Sequence, residues 1–108
     1  MARQPDHYMG ISLAAKAGKI VSGEMMTEKT IRAGGACLVM IAADASEATR
    51  KTFKDHCAYY EVPLIELPDK ETLGRLIGKE YRASAACTDE NLTTLILKQY
   101  DRQQANKS

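Results

Sequence analysis

The run Cys37-Leu-Val-Met-Ile-Ala42 is unbroken in its apolar character and lies between two segments with helical spacing. A strand with one wet face alternates apolar and polar residues. A run with no polar member has to be covered on both faces. Helices packed on either side of a sheet provide that cover. This run therefore demands a layered α/β fold before any other residue is considered.

The flanking segments supply the helices. Asp6 is placed to cap a first helix that carries Met9, Ile11, Leu13 and Ala14 up to Gly18. Lys19–Ser22 is a very short strand, and Gly23/Glu24 to Ala33 is a second helix halted by Gly34-Gly35. Ser46 is a good N-cap for a third helix, Glu47 to Tyr60, with Phe53, Cys57 and Tyr60 on its inward side. Val62–Glu66 is a strand whose Pro63 marks a strand end or a sheet edge. Asp69 caps a short fourth helix bearing Leu73, Leu76 and Ile77 and ended by Gly78. Lys79–Arg82 is a loop, Ala83–Thr88 a strand of small residues, and Asp89 opens a last helix with Leu92, Leu95 and Ile96 facing inward. The expected fold is an α/β, three-layer α/β/α sandwich with a small mixed sheet. It forms one domain over residues 1–102, with a frayed polar tail at 103–108.

Charge narrows the function. Fifteen basic residues against fourteen acidic give a net charge of +1, which argues against a purely electrostatic nucleic-acid binder. The first 35 residues are the more basic part, with five basic and three acidic side chains. Cys37, Cys57 and Cys87 form no C-x-x-C pair and sit in or beside apolar segments. They read as buried structural thiols in a reducing, cytoplasmic setting, without a metal or redox motif. The segment Met1–Asp6 has no apolar core of a signal peptide, and no stretch reaches the ~18 apolar residues of a membrane span.

Catalysis needs converging titratable groups, and none are evident. His7 lies near the start of the chain. His56 and Cys57 are neighbours on a helix, so their side chains diverge; the expected picture is a solvated His beside a buried thiol. Neither a P-loop nor a G-x-G-x-x-G follows a strand. The reading is a non-catalytic chain with no cofactor and no metal.

Binding is better served. At Lys19-Ile-Val-Ser-Gly-Glu-Met-Met26 a strand ends and a helix begins at once. Gly23 lets another backbone come close, and the first amides of the new helix have no partner within it. Such an end attracts phosphate or carboxylate. Lys29 and Arg32 follow on the same helix, unless they and Glu24–Glu28 merely form a solvated face. A second region is Asp44-Ala-Ser46, and a third is Lys70 with Lys79-Glu-Tyr-Arg82. Loops of an alternating fold gather at one end of the sheet. Tyr81 there either stacks on an unpaired base or packs over a neighbouring helix.

Four segments carry a resemblance: Ala17-Gly-Lys-Ile-Val-Ser-Gly23, Cys37-Leu-Val-Met-Ile-Ala-Ala-Asp-Ala45, Cys57-Ala-Tyr-Tyr-Glu-Val-Pro63 and Leu73-Gly-Arg-Leu-Ile-Gly78. In order and wording they resemble the ribosomal-protein superfamily of archaeal L-seven-Ae and eukaryotic L-thirty-e, and most of all its bacterial YlxQ-type branch. The resemblance spans roughly residues 8 to 97. It implies an α/β/α sandwich that binds kink-turn RNA, a bend flanked by sheared G·A pairs, and an association with the ribosome as a monomer. The family's second helix enters the groove of the bend through a motif of Gly, any residue, Asn, Glu, then Lys three positions on. Gly23 and Lys29 keep the outer positions of that motif, with Glu24 at its free position. Met25 and Met26 replace the two base-reading residues, and a thioether is at best a weak acceptor. The resemblance also implies contacts from Ser46, Lys70, Lys79, Tyr81 and Arg82, whereas Glu80 is unfavourable beside phosphate. The alternative is the same scaffold repurposed to bind protein through Met25 and Met26.

Overall fold

The apolar run forms strand β2 (Leu38–Ala42), every residue of which is buried. In the computed structural model, which describes residues 8–105, five helices and four strands alternate along the chain. They are α1 (Met9–Lys16), β1 (Ile20–Ser22), α2 (Glu24–Arg32), β2, α3 (Glu47–Tyr60), β3 (Leu64–Leu67), α4 (Lys70–Leu76), β4 (Ser84–Cys87) and α5 (Glu90–Ala105). The sheet order is β1-β4-β2-β3. It is mixed: β2 runs parallel to β3 and antiparallel to β4, which is antiparallel to β1.

Alternation along β2 sorts the core into two halves. Leu38 and Met40 meet Ile11 and Ala14 of α1, Leu73 of α4 and Ile96 of α5. Val39 and Ile41 point the other way, to Ile31 of α2 and to Phe53 and Cys57 of α3. The period-2 geometry of a strand thus assigns three helices to one face and two to the other. Pro63 lies just before β3, an edge strand, as its missing N–H requires.

Several details differ from the sequence expectations. Met9 and Leu13 are exposed, because α1 packs on α5 along Gly10, Ile11 and Ala14; the Gly10 N–H donates to Gln99 Oε1 at 2.8 Å. Tyr60 sits in the last turn of α3, beside the left-handed cap at Glu61, and is exposed. Its ring meets that of Tyr59 edge-on, with centroids 4.9 Å apart. Cys57 and Cys87 are buried, but Cys37 lies outside β2 and is half-buried. His56 is half-buried rather than freely solvated: its Nδ1 is buried and lies 2.8 Å from Glu28 Oε2, at ion-pair distance but without a hydrogen bond. Helix α5 continues to Ala105, into the expected tail. The proposed Asp6 cap, His7 and residues 106–108 lie outside the described residues.

Candidate nucleic-acid interface

Helix α2 starts at the end of the edge strand β1, and Gly23 makes the joint. Its φ of +91° is open to glycine and strained for other residues. Its N–H donates to Ser84 O at 3.0 Å, which fastens the joint to β4. On the other side a Cβ at this position would find no atom within 4 Å, so the flank is open. Among the described residues, nothing packs against this flank of Gly23.

The next turn presents its side chains outward. Met25 is 82% exposed and Met26 45%. Thr27 and Ile31 are the residues that α2 buries. Lys29 is exposed and makes no ion pair among the described residues. Arg32 donates to Glu28 Oε2 at 3.0 Å, and the same oxygen faces His56. Exposed pairs of this kind are worth little, so Arg32 remains available to a stronger anion. Met25, Glu28, Lys29, Arg32 and Ala33 line an open concavity along the helix.

The three regions picked out in the sequence are joined in a closed belt of polar contacts. Arg82 Nε donates to Ser22 Oγ at 3.1 Å, and the Arg82 backbone N–H to Lys70 O at 3.2 Å. The Lys70 N–H donates to Asp44 Oδ1 at 2.9 Å. Two residues on, Ser46 Oγ caps α3 by accepting from the Thr49 N–H at 3.1 Å, and donates to Thr49 Oγ1 at 3.0 Å. Thr49 Oγ1 in turn donates to Glu24 Oε2 at 2.7 Å. Glu24 stands two residues from Ser22, which closes the ring.

This belt sorts the candidate residues. Gly23, Met25, Met26, Lys29 and Arg32 form the outward face of α2. Lys70, Lys79 and Tyr81 have exposed side chains, Tyr81 at 63%, and Tyr81 shares an open concavity with Glu71 and Arg75 of α4. Ser46, Arg82 and Glu24 join the belt through their side chains and Lys70 through its backbone, and Arg82 also donates to Tyr81 O at 2.7 Å. Asp69, the N-cap of α4, accepts from the Thr72 N–H, which holds its carboxyl below the usual range.

Two positions were missed at the sequence level. One is Thr49, whose signal was its place three residues after a Ser N-cap. The other is Gly74. A Cβ there would lie 2.5 Å from Glu80 O and 2.9 Å from Tyr81 N, so only glycine lets the 79–82 loop settle on α4. A glycine inside a helical pattern was the available clue. Among the described residues no group of three or more His, Cys, Asp or Glu could hold a metal ion, and no helix is long and apolar enough to cross a membrane.

Comparison with known proteins bears on the fold and the family. The model of the ribosomal protein L7Ae/L30e/S12e/Gadd45 family matches residues 7–97. The chain is 41% identical over 91 residues to RNA-binding protein YlxQ of Bacillus subtilis (strain 168), covering 84% of this chain and 91% of that protein. It is 46% identical over 69 residues to RNA-binding protein YlxQ of Enterococcus faecium, covering 64% and 67%. Among solved structures, a Bacillus halodurans protein of unknown function superposes with a TM-score of 0.86 at 28% identity, over 91% of this chain and 99% of its own. A Giardia lamblia 15.5kD RNA binding protein shares the fold, with a TM-score of 0.76 at 21% identity, over 97% and 92%. Both YlxQ relatives and the Giardia protein are described as RNA-binding proteins. The chain belongs to the ribosomal protein L7Ae/L30e/S12e/Gadd45 family, in its bacterial YlxQ branch.

Proposed function

We propose that this protein binds structured RNA, a kink turn or a similarly bent duplex, and does so in association with the ribosome. The observation that carries the reading is the open N-terminal ledge of α2. Gly23 has free space on its outer flank, and Lys29 is unpaired among the described residues one to two turns on. Orphan amides and an ammonium together suit a sharply bent phosphate backbone. The exposed Tyr81 ring stands ready to stack on an unpaired base.

Met25 and Met26 set the expected character of binding. Each lost bidentate base contact forfeits about 1–3 kcal/mol of discrimination. Recognition therefore leans on shape and phosphate. A second reading, docking of a protein partner, draws on the exposure of the same two methionines.

The test is a titration of kink-turn RNA, with an RNA lacking the G·A pairs as control, at several salt concentrations. Preference for the bent RNA is expected, and Lys29→Glu should weaken binding and lower the salt slope by about one. A steep salt slope with no preference between the RNAs would reduce the interaction to phosphate attraction alone. No binding at low salt, with capture of a protein partner, would favour the second reading.

A further inference from the structure

Glu24 presents a problem for an anion-binding ledge. It is exposed in the first turn of α2, where a carboxylate competes with phosphate for the same amides. Yet its Oε2 accepts from Thr49 Oγ1 at 2.7 Å, a short charge-assisted bond reaching from α2 to α3. Thr49 is held in turn by Ser46 Oγ, which donates to its Oγ1 and accepts from its N–H. The remaining links of the belt run through the backbone of residues 44–46, through Lys70 and Asp44, and through Arg82 and Ser22. The 2.7 Å contact is where the belt closes.

We propose that Glu24 is a positioning residue, acting through Thr49, that fixes the first turn of α2 relative to α3 and to the Tyr81 loop. The inference rests on the RNA-binding reading above for its consequence, though not for its geometry. Closure by a side-chain bond makes the relative placement of Met25, Lys29 and Tyr81 a property of the free protein. Binding then spends less on ordering those groups. The carboxylate charge faces the Thr49 hydroxyl, so the residue that appears hostile to RNA serves the site as an acceptor. Glu24 and Thr49 should therefore act as one unit.

The experiment uses the full chain with kink-turn RNA and a set of conservative variants. Glu24→Ala and Thr49→Val should each weaken binding about tenfold, with the double variant no worse than either single one. Thr49→Ser, which keeps the hydroxyl, and Glu24→Gln, which keeps an acceptor, should restore most of the affinity. If Glu24 only repelled phosphate, Glu24→Ala and Glu24→Gln would both tighten binding, and the proposal would fall. Amide hydrogen exchange of the RNA-free protein supplies the independent arm. Thr49→Val should speed exchange at the hydrogen-bonded amides of Thr27, Lys79 and Arg82 while leaving β2 protected; unchanged exchange at these amides overturns the proposal whatever the RNA does. Wild-type protein that ignores RNA but shows the exchange change would leave the strut standing and remove the RNA-binding reading instead.

Discussion

Replacing Gly74 by Ala places one methyl group where the structure has no room. The new Cβ would lie 2.5 Å from Glu80 O, 2.7 Å from Glu80 C and 2.9 Å from Tyr81 N. The first distance is half an ångström inside 3.0 Å, which real Cβ atoms essentially never breach. All three neighbours are backbone atoms, so no side-chain rotation relieves the overlap. The loop must lift from α4, and it takes with it the bond from the Lys79 N–H to Gly74 O at 2.7 Å. Overpacking of this kind costs about 1–3 kcal/mol. Alanine recovers about 1 kcal/mol of helix propensity over glycine. The net loss is therefore expected at about 0–2 kcal/mol, or up to about 8–16 °C in Tm at about 4–8 °C per kcal/mol. Binding should suffer more than stability, since Tyr81 and Arg82 ride on the displaced loop. Thermal melts and an RNA titration on the same sample separate the two effects. Gly35→Ala is the control, because its Cβ would make only an ordinary 3.5 Å contact with Thr30. A Gly74→Ala protein that melts above the wild type and binds RNA equally would refute the reasoning, since only the propensity gain would then have been felt.

Other outcomes follow from single contacts. Ser46→Ala removes the cap of α3 and one support of Thr49, so urea unfolding should show a loss of about 1 kcal/mol, whereas Ser46→Asp should keep most of the stability. Burial pushes the Cys57 thiol from 9.0 up to about 11. The native thiol resists ionisation more than the unfolded one. Its stabilising effect is thus complete below pH 9 and drains away as the pH rises towards 11. Urea midpoints should fall more between pH 8 and pH 10 for the wild type than for Cys57→Ala, and equal falls would contradict this. With a thiol reagent at pH 8, half-buried Cys37 should be labelled well before Cys57 or Cys87.

Local chemistry made much of the architecture readable. The uninterrupted run at residues 37–42 required cover on both faces, and Ser46 and Asp69 cap helices at the expected places because capping is settled by residues three apart. The Gly23 joint was equally legible, since a strand-to-helix turn with a positive φ has few other solutions. The rotation of α1 was not legible. Its patchy apolar residues fit more than one face, and contact with α5 chose Gly10, Ile11 and Ala14 over Met9 and Leu13.

What the order of residues determined alone was therefore the layered α/β plan, the starts of α2 to α5 and the glycine joint at Gly23, because all of these depend on neighbours within a few positions. Only the tertiary structure decided that Ser22, Glu24, Asp44, Ser46, Thr49, Lys70 and Arg82 form one closed ring. It alone showed that His56 faces Glu28 and that Gly74 is set by a loop six residues on. Such contacts join residues up to 60 apart in the chain, as Arg82 and Ser22 are, and no local spacing encodes them.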